Sequence, residues 1–421
     1  MNYIGSKHKL INFINKAIEL CDIDDKESTI LCDLFAGTGR VGRHYKEKGF
    51  SIIANDLEAY SYSLISHYIG NHKEIDISKE IEILNQLEGI ESGFIFNHYC
   101  TEGKHSLTST KKKNPTTGKM EDTAIHRSYF SNQNGKIIDE ARTLVEQWLE
   151  NKGINQEKYQ YLIAVILEAA DKVANTASVY GAFLKKIKAS AQKKIQFSTL
   201  DYATTEQSHQ CFNQNANELI KNIQGDILYL DPPYNGRQYG ANYHVLNTIA
   251  QYDNPKIKGT TGLREYTPSK WCQKGHVHEQ LEEIVREAKF NYILFSYNSE
   301  SIMTPESIQN IMEKYGEYSV ITQDYQRFKA DKGKTLDEEF DMMMNQWKEF
   351  DTDSIKTELR DKINNYFEHI AELKAQNKDY LSFVKDLKTM LNSANINLQQ
   401  QDRTHTQNNV VEYIHILKKQ L

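Results

Sequence analysis

The chain has 421 residues, 39% of them hydrophobic and 26% charged, with a formal net charge of −6. That composition builds a globular protein with a real core and excludes one that is basic throughout, so any contact with nucleic acid has to come from local clusters. No run of about 18 apolar residues occurs, the N-terminal "MNYIGSKHKL" lacks the apolar core of a secretion signal, and the five cysteines are scattered without a C-x-x-C pair; we therefore expect a cytoplasmic protein with no membrane span and no disulfide framework.

Along the chain, apolar residues at Leu10, Ile14, Ala17, Ile18 and Cys21 predict an amphipathic helix over 7–22. "TILCDLF" (29–35) reads as a buried strand, "AGTGRVGRHYKEKG" as a glycine turn and helix, and "FSIIAND" (50–56) as a second strand. Strand, turn, helix and strand make a parallel βαβ unit. Residues 100–120 are polar and rich in Lys and Thr, the composition of an exposed loop or an inserted module. Helical spacing returns at 136–150 and 161–173, and strand patterns at 226–231, 292–298 and 318–322. The expected architecture is thus an α/β, Rossmann-like sheet formed by 1–75 and 195–345. Residues 76–194 are a mostly helical insertion and a candidate for target recognition. From 350, apolar residues such as Leu359, Ile363, Phe367, Ile370, Val384, Leu387 and Leu391 keep coiled-coil-like spacing. A Gln/Asn-rich stretch (392–409) follows, and then a short helix over 410–419, so 350–421 is expected to be a helical C-terminal extension.

Gly37, Gly39 and Gly42 form G-x-G-x-x-G directly after a strand, and Asp56 closes the next strand. Such glycines let backbone approach a ligand closely, and the acid accepts hydrogen bonds from a ribose diol. The pair points to an adenosine-containing cofactor, nicotinamide or S-adenosylmethionine, without choosing between them.

"DILYLDPPYNGRQYG" (226–240) delivers Asp231 to the carboxyl end of a strand, where open α/β sheets bind ligands. Pro232 and Pro233 fix the backbone and remove two donors while leaving carbonyl acceptors. Tyr234 adds a flat aromatic face. A carboxylate and a carbonyl that accept two N–H groups, beside a ring that stacks, suit a planar amine such as the exocyclic amino group of a base.

Taken in order, these motifs resemble the Dam-like, D-P-P-Y-type DNA adenine methyltransferases of restriction–modification systems. "NYIGSKHKL" (2–10), "DLFAGTG" (33–39), "STLDYA" (198–203), "FSYN" (295–298) and "YQRFKAD" (325–331) also look like family segments. The resemblance covers about 1–75 and 125–340. It implies methyl transfer from S-adenosylmethionine to adenine N6 in double-stranded DNA, with the target base flipped out of the helix. It implies a cofactor site at Tyr3, Lys7, Phe35, Gly37, Gly39, Asp56 and Asp201, where Lys7 meets the methionine carboxylate and Asp201 the cofactor's adenine. It also implies a cognate endonuclease as functional partner. Amino methylation of RNA adenine or DNA cytosine would use the same rim. A nicotinamide oxidoreductase would leave "DPPY" unexplained.

For DNA contact, 181–194 holds five lysines and no acid, and 100–119 five lysines and one acid. Lys185 and Lys186 in the first cluster, Arg327 and Lys329 in 325–334, and Arg237 and Tyr239 beside the D-P-P-Y motif are the candidate DNA-binding residues. Cys272, His276 and His278 have a faintly metal-like spacing but no fourth ligand, and we expect no metal. A homodimer through the C-terminal helices is a further expectation.

Overall fold

The computed structural model describes residues 7, 10–23, 25–113, 120–325, 340, 343–344, 347, 355, 357–376, 380–393 and 410–419. The chain divides into two compact units, residues 1–323 with 412–421, and residues 324–411.

The first unit is built on a seven-stranded sheet. In chain order the strands of the protein are β1 (Ile30–Asp33), β2 (Ser51–Asn55), β3 (Leu107–Lys113), β4 (Met120–His126), β5 (Gln210–Phe212), β6 (Gln224–Leu230), β7 (Ile257–Lys258), β8 (Leu263–Arg264), β9 (Lys289–Asn298), β10 (Gly316–Tyr325) and β11 (Val410–Lys419). The central sheet runs β10-β11-β9-β6-β1-β2-β5. β1 pairs in parallel with both β2 and β6, β2 with β5, and β6 with β9. The connections reverse direction at β1, which leaves a crevice at the carboxyl ends of β1 and β6. Leu31, Cys32, Ile227, Leu228, Ile293 and Leu294 are all buried, as expected of parallel strands covered on both faces.

The last strand corrects the sequence reading. Residues 410–419 do not form a helix; they form β11, which pairs antiparallel with β9 from Glu412↔Asn298 to Lys418↔Tyr292 and lies between β9 and β10. "VVEYIHILKK" is short enough to fit either period. Its β-branched content and two-sided burial, with Ile414, Ile416 and Leu417 all buried, favour the strand.

The stretch 76–194 folds as helices Ser78–Asn85, Phe94–Tyr99, Asn132–Glu150 and Gln156–Val173, the short turn Ala189–Gln192, and the β3–β4 ribbon. The polar segment around 107–126 is therefore an antiparallel ribbon rather than a loop. Arg142, fully buried, ties helix Asn132–Glu150 to the core: its Nε donates to the Ile249 carbonyl at 2.7 Å, at the C-terminal end of helix His244–Gln251, where a cation satisfies orphan carbonyls. Arg127 donates to the carbonyls of His105, Gly259 and Thr260, which fixes the β3–β4 ribbon to the β7–β8 ribbon.

In the second unit, helices Thr357–Ala375 and Leu381–Ser393 share a core of Ile363, Phe367, Ile370, Val384, Leu387 and Leu391, closed by Phe340 and Trp347. The coiled-coil-like spacing is consumed inside this unit. Among the described residues, no helix is long and apolar enough to cross a membrane.

Candidate active site

A cavity of about 290 Å³ opens at the carboxyl ends of β1, β2 and β6. At one end lies the glycine turn. Gly37 and Gly39 hold φ of 54° and 75°, the left-handed region that side chains with a Cβ avoid. Gly42 serves packing instead: a Cβ there would stand 2.5 Å from Ile69 Cδ1. Asp56 closes β2 and is braced on both oxygens, accepting from the Gly37 N–H at 2.8 Å and the Glu58 N–H at 2.9 Å. Burial pushes its carboxyl up to about 6 against those donors, and burial likewise raises Asp33 and Glu58 to about 7. All three acids line the cavity. That much desolvated acid is costly on its own and is relieved by a cationic ligand.

At the other end stands Asp231. Lys7 Nζ sits 3.0 Å from its Oδ1, with side-chain exposures of 9% and 17%. Burial works against the Lys7 charge, but Asp231 and Glu412 outweigh it and hold the lysine above its ordinary value. Burial raises the Asp231 carboxyl and Lys7 opposes that shift; the close contact is that of an ammonium and a carboxylate. Pro233 lines the cavity beside Asp231, Pro232 is buried, and Tyr234 is half-buried against the core, its carbonyl accepting from the Ile302 N–H at 3.1 Å.

The structure thus gathers Lys7, Phe35, Gly37, Asp56, Asp231, Pro233 and Tyr239 around one cavity, with Gly39 in the turn behind it. It does not bring Asp201 there. Asp201 is exposed, and its backbone carbonyl accepts from Arg43 at 3.4 Å. The wall expected of it is supplied by Gln214–Glu218, the segment that leaves β5. No motif marks that segment in the sequence; its signal is position alone, directly after a strand end. Trp271, which no motif marks, is a second addition. It lines the cavity, packs edge-on against Phe35 with centroids 5.1 Å apart, and donates Nε1–H to Asn217 Oδ1 at 3.1 Å. Lys185, Lys186 and Arg237 are exposed. Tyr3, Arg327 and Lys329 lie outside the described residues. Cys272, His276 and His278 turn to separate partners, the Arg237 carbonyl, Glu279 and Ser307.

The family of D12 class N6 adenine-specific DNA methyltransferases matches residues 3–311. The chain belongs to this family. It is an adenine-specific DNA methyltransferase, and the nicotinamide reading of the glycine turn falls with that membership. The type II methyltransferase M.NlaIII of Neisseria lactamica is 46% identical over 334 residues, covering 79% of this chain and 93% of the relative. M.CviAII of Paramecium bursaria Chlorella virus 1 is 34% identical over 334 residues, covering 78% and 93%. M.FokI of Planomicrobium okeanokoites is 36% identical over 337 residues, covering 78% of this methyltransferase but 50% of that protein.

Proposed function

We propose that this methyltransferase uses S-adenosylmethionine to methylate the N6 amino group of adenine in one short sequence of double-stranded DNA. We further propose that the reaction protects cytoplasmic DNA from an endonuclease of the same specificity, as the modification half of a restriction–modification pair. The observation that carries the reading is the single cavity with a doubly braced carboxylate, Asp56, at one end and the D-P-P-Y carboxylate, Asp231, at the other.

The residues present fit the cofactor. Asp56 would accept from the ribose diol, Phe35 and Trp271 would flank the adenine, and the amides of Gln214–Asn217 would take the place first given to Asp201. The acids of the cavity suit a positively charged group, and Lys7 suits a carboxylate. When bound, the cofactor supplies a methyl group made electrophilic by its sulfonium.

The protein's part is positioning and electrostatics. A base amino group is a poor nucleophile because its lone pair is delocalised into the ring. Asp231 and the Pro232 carbonyl would accept its two N–H groups and draw the nitrogen toward tetrahedral geometry. The Tyr234 ring would stack on the flipped base, returning about 1–3 kcal/mol of the unstacking cost. The exposed lysines at 185 and 186, Arg237, and the helical and ribbon elements of 76–194 form the candidate DNA surface.

The test is to express the protein in bacteria free of DNA methylation and sequence single DNA molecules for modified bases. Methyladenine at one short motif, absent with Asp231→Ala, is the expected result. No modified base, from protein that folds and binds S-adenosylmethionine, would overturn the proposal.

A further inference from the structure

The rim carries one acid that no motif marks. Glu412 opens β11 and pairs with Asn298 at the carboxyl end of β9. Alternate residues of a strand share a face, and so do residues paired across strands. The registers Asp33↔Tyr229, Tyr229↔Leu294 and Leu294↔Ile416 therefore put Asp33, Tyr229, Leu294 and Ile416 on one face. Farther toward the carboxyl ends, the same face carries Asp231 beyond β6 and Asn298 with Glu412 two strands away. Glu412 thus rises on the cavity's face of the sheet, on the far side of β9 from Asp231.

Glu412 is only 6% exposed, and among the described residues its Oε2 has no hydrogen-bond partner. A buried carboxylate with an unfilled acceptor is destabilising unless something there uses it. The cation at this place is Lys7, whose ammonium is held at Asp231 Oδ1, 3.0 Å away, and which also feels the Glu412 charge. Asp33, on the same face, is engaged elsewhere, since its Oδ2 accepts from the Gly42 N–H at 3.2 Å.

This arrangement bears on the reaction. An amino N–H that reaches Asp231 competes with Lys7 for the charge of the same carboxylate and weakens the 3.0 Å contact at Oδ1. A buried ammonium whose carboxylate is drawn away needs another anion; beside the cofactor carboxylate that Lys7 would meet, the one this chain supplies is Glu412. We infer that Glu412 is a positioning residue that takes the Lys7 ammonium when Asp231 turns its oxygens to the substrate amine. The inference rests on the amine-orienting reading of Asp231 given above. It assigns the C-terminal strand a part in the chemistry beyond closing the sheet.

The experiment is single-turnover methyl transfer to a duplex carrying the recognised sequence. It compares the full-length protein with Glu412→Gln, Glu412→Asp and Asp231→Ala, alongside S-adenosylmethionine affinity by calorimetry and the thermal midpoint. Glu412→Gln is expected to slow the chemical step about ten-fold while cofactor affinity moves by less than about two-fold. Glu412→Asp, which keeps the charge, is expected to recover the rate to within about three-fold of the parent. A Glu412→Gln rate equal to the parent's overturns the inference. So does a Glu412→Asp rate as low as that of Glu412→Gln, and this arm still decides if Glu412→Gln fails to fold. If Asp231→Ala is inactive while Glu412→Gln is normal, this inference alone fails; if Asp231→Ala stays active, the underlying reading fails.

Discussion

The two ends of the cavity are assembled differently. At the glycine-turn end, the backbone of Phe35–Gly39, the carboxylate of Asp56 and the packing glycine Gly42 all come from one βαβ unit, and the hydrogen bonds that brace Asp56 close within that unit. At the rim, Lys7, Asp231 and Glu412 come from the beginning, middle and end of the chain and meet only when the sheet is complete. At the first end the turn and the brace on Asp56 are local, and only the outer wall, Gln214–Glu218 and Trp271, comes from elsewhere. The second depends on tertiary assembly, and above all on a strand that arrives last.

The sharpest way to break that comparison is to remove the strand. Truncation of residues 410–421 deletes β11 from the interior of the sheet, between β9 and β10. It exposes the positions of Ile414, Ile416 and Leu417, all buried, worth on the order of 5–9 kcal/mol together at about 1.5–3 kcal/mol per side chain. Orphaned backbone groups on β9 add to that loss. The total rivals the net stability of a typical domain, about 5–15 kcal/mol. The truncated protein is expected to lose its cooperative thermal transition by circular dichroism; a retained transition would show that the sheet stands without β11.

Next in size is Asp231→Ala. The fold should persist, because the side chain stands at the rim beyond the last residue of β6. Methyl transfer measured with labelled cofactor should fall by about 10²–10³-fold, the loss typical for one preorganised polar group. A fall of less than about ten-fold would remove Asp231 from the centre of the chemistry.

The glycine-turn end is probed by Asp56→Asn, which keeps the shape and removes the charge. Cofactor affinity should weaken by about ten-fold or more, since hydrogen bonds to charged groups contribute about 1.5–3 kcal/mol. The pH dependence carries a sign. Burial raises the folded-state carboxyl from 3.8 to about 6, so the folded protein holds this proton more tightly than the unfolded chain. Its contribution to stability is full below the ordinary carboxylate range and is lost as pH rises to about 6 and beyond. Cofactor affinity runs the other way, because the ribose contact proposed for Asp56 needs the carboxylate. Affinity should therefore improve as pH rises through about 6, and Asp56→Asn should flatten that rise in calorimetric titrations. An unchanged slope in the variant would assign the titration to another group, Asp33 or Glu58.

What could be read from the sequence follows the same division. The glycine turn, Asp56 and the Asp231 strand end were legible because each is a short-range pattern whose physical cause lies within a few residues. Asp201 misled because an acid upstream of the D-P-P-Y strand looks alike whether it faces a cavity or solvent; only the path of the chain through β5 decides that Gln214–Glu218 form the wall. Trp271 is invisible to motif reading because its role comes from Phe35, far away in sequence. The strand at 410–419 is illegible in the sequence for a related reason. In ten residues the helical and extended periods cannot be separated, and the preference is settled by two neighbouring strands that the local sequence does not reveal.

The smallest effect is expected from the largest deletion. Residues 326–409 connect β10 to β11, which are neighbours in the sheet, so a short turn could in principle join them. The apolar residues of helices Thr357–Ala375 and Leu381–Ser393 bury against one another within their own unit. Removing that unit as a whole takes both halves of this helical core together, unlike cutting within it. Loop-closure entropy changes slowly with length and favours the shorter connection. A protein with a tight turn in place of 326–409 should melt within a few degrees of the parent and bind S-adenosylmethionine within about three-fold. Methylation of DNA is the informative readout. If it also survives, these 84 residues serve something other than the transfer itself. If cofactor binding survives and methylation is lost, the helical unit works on the DNA side of the reaction, and the rim described here is complete only for its cofactor.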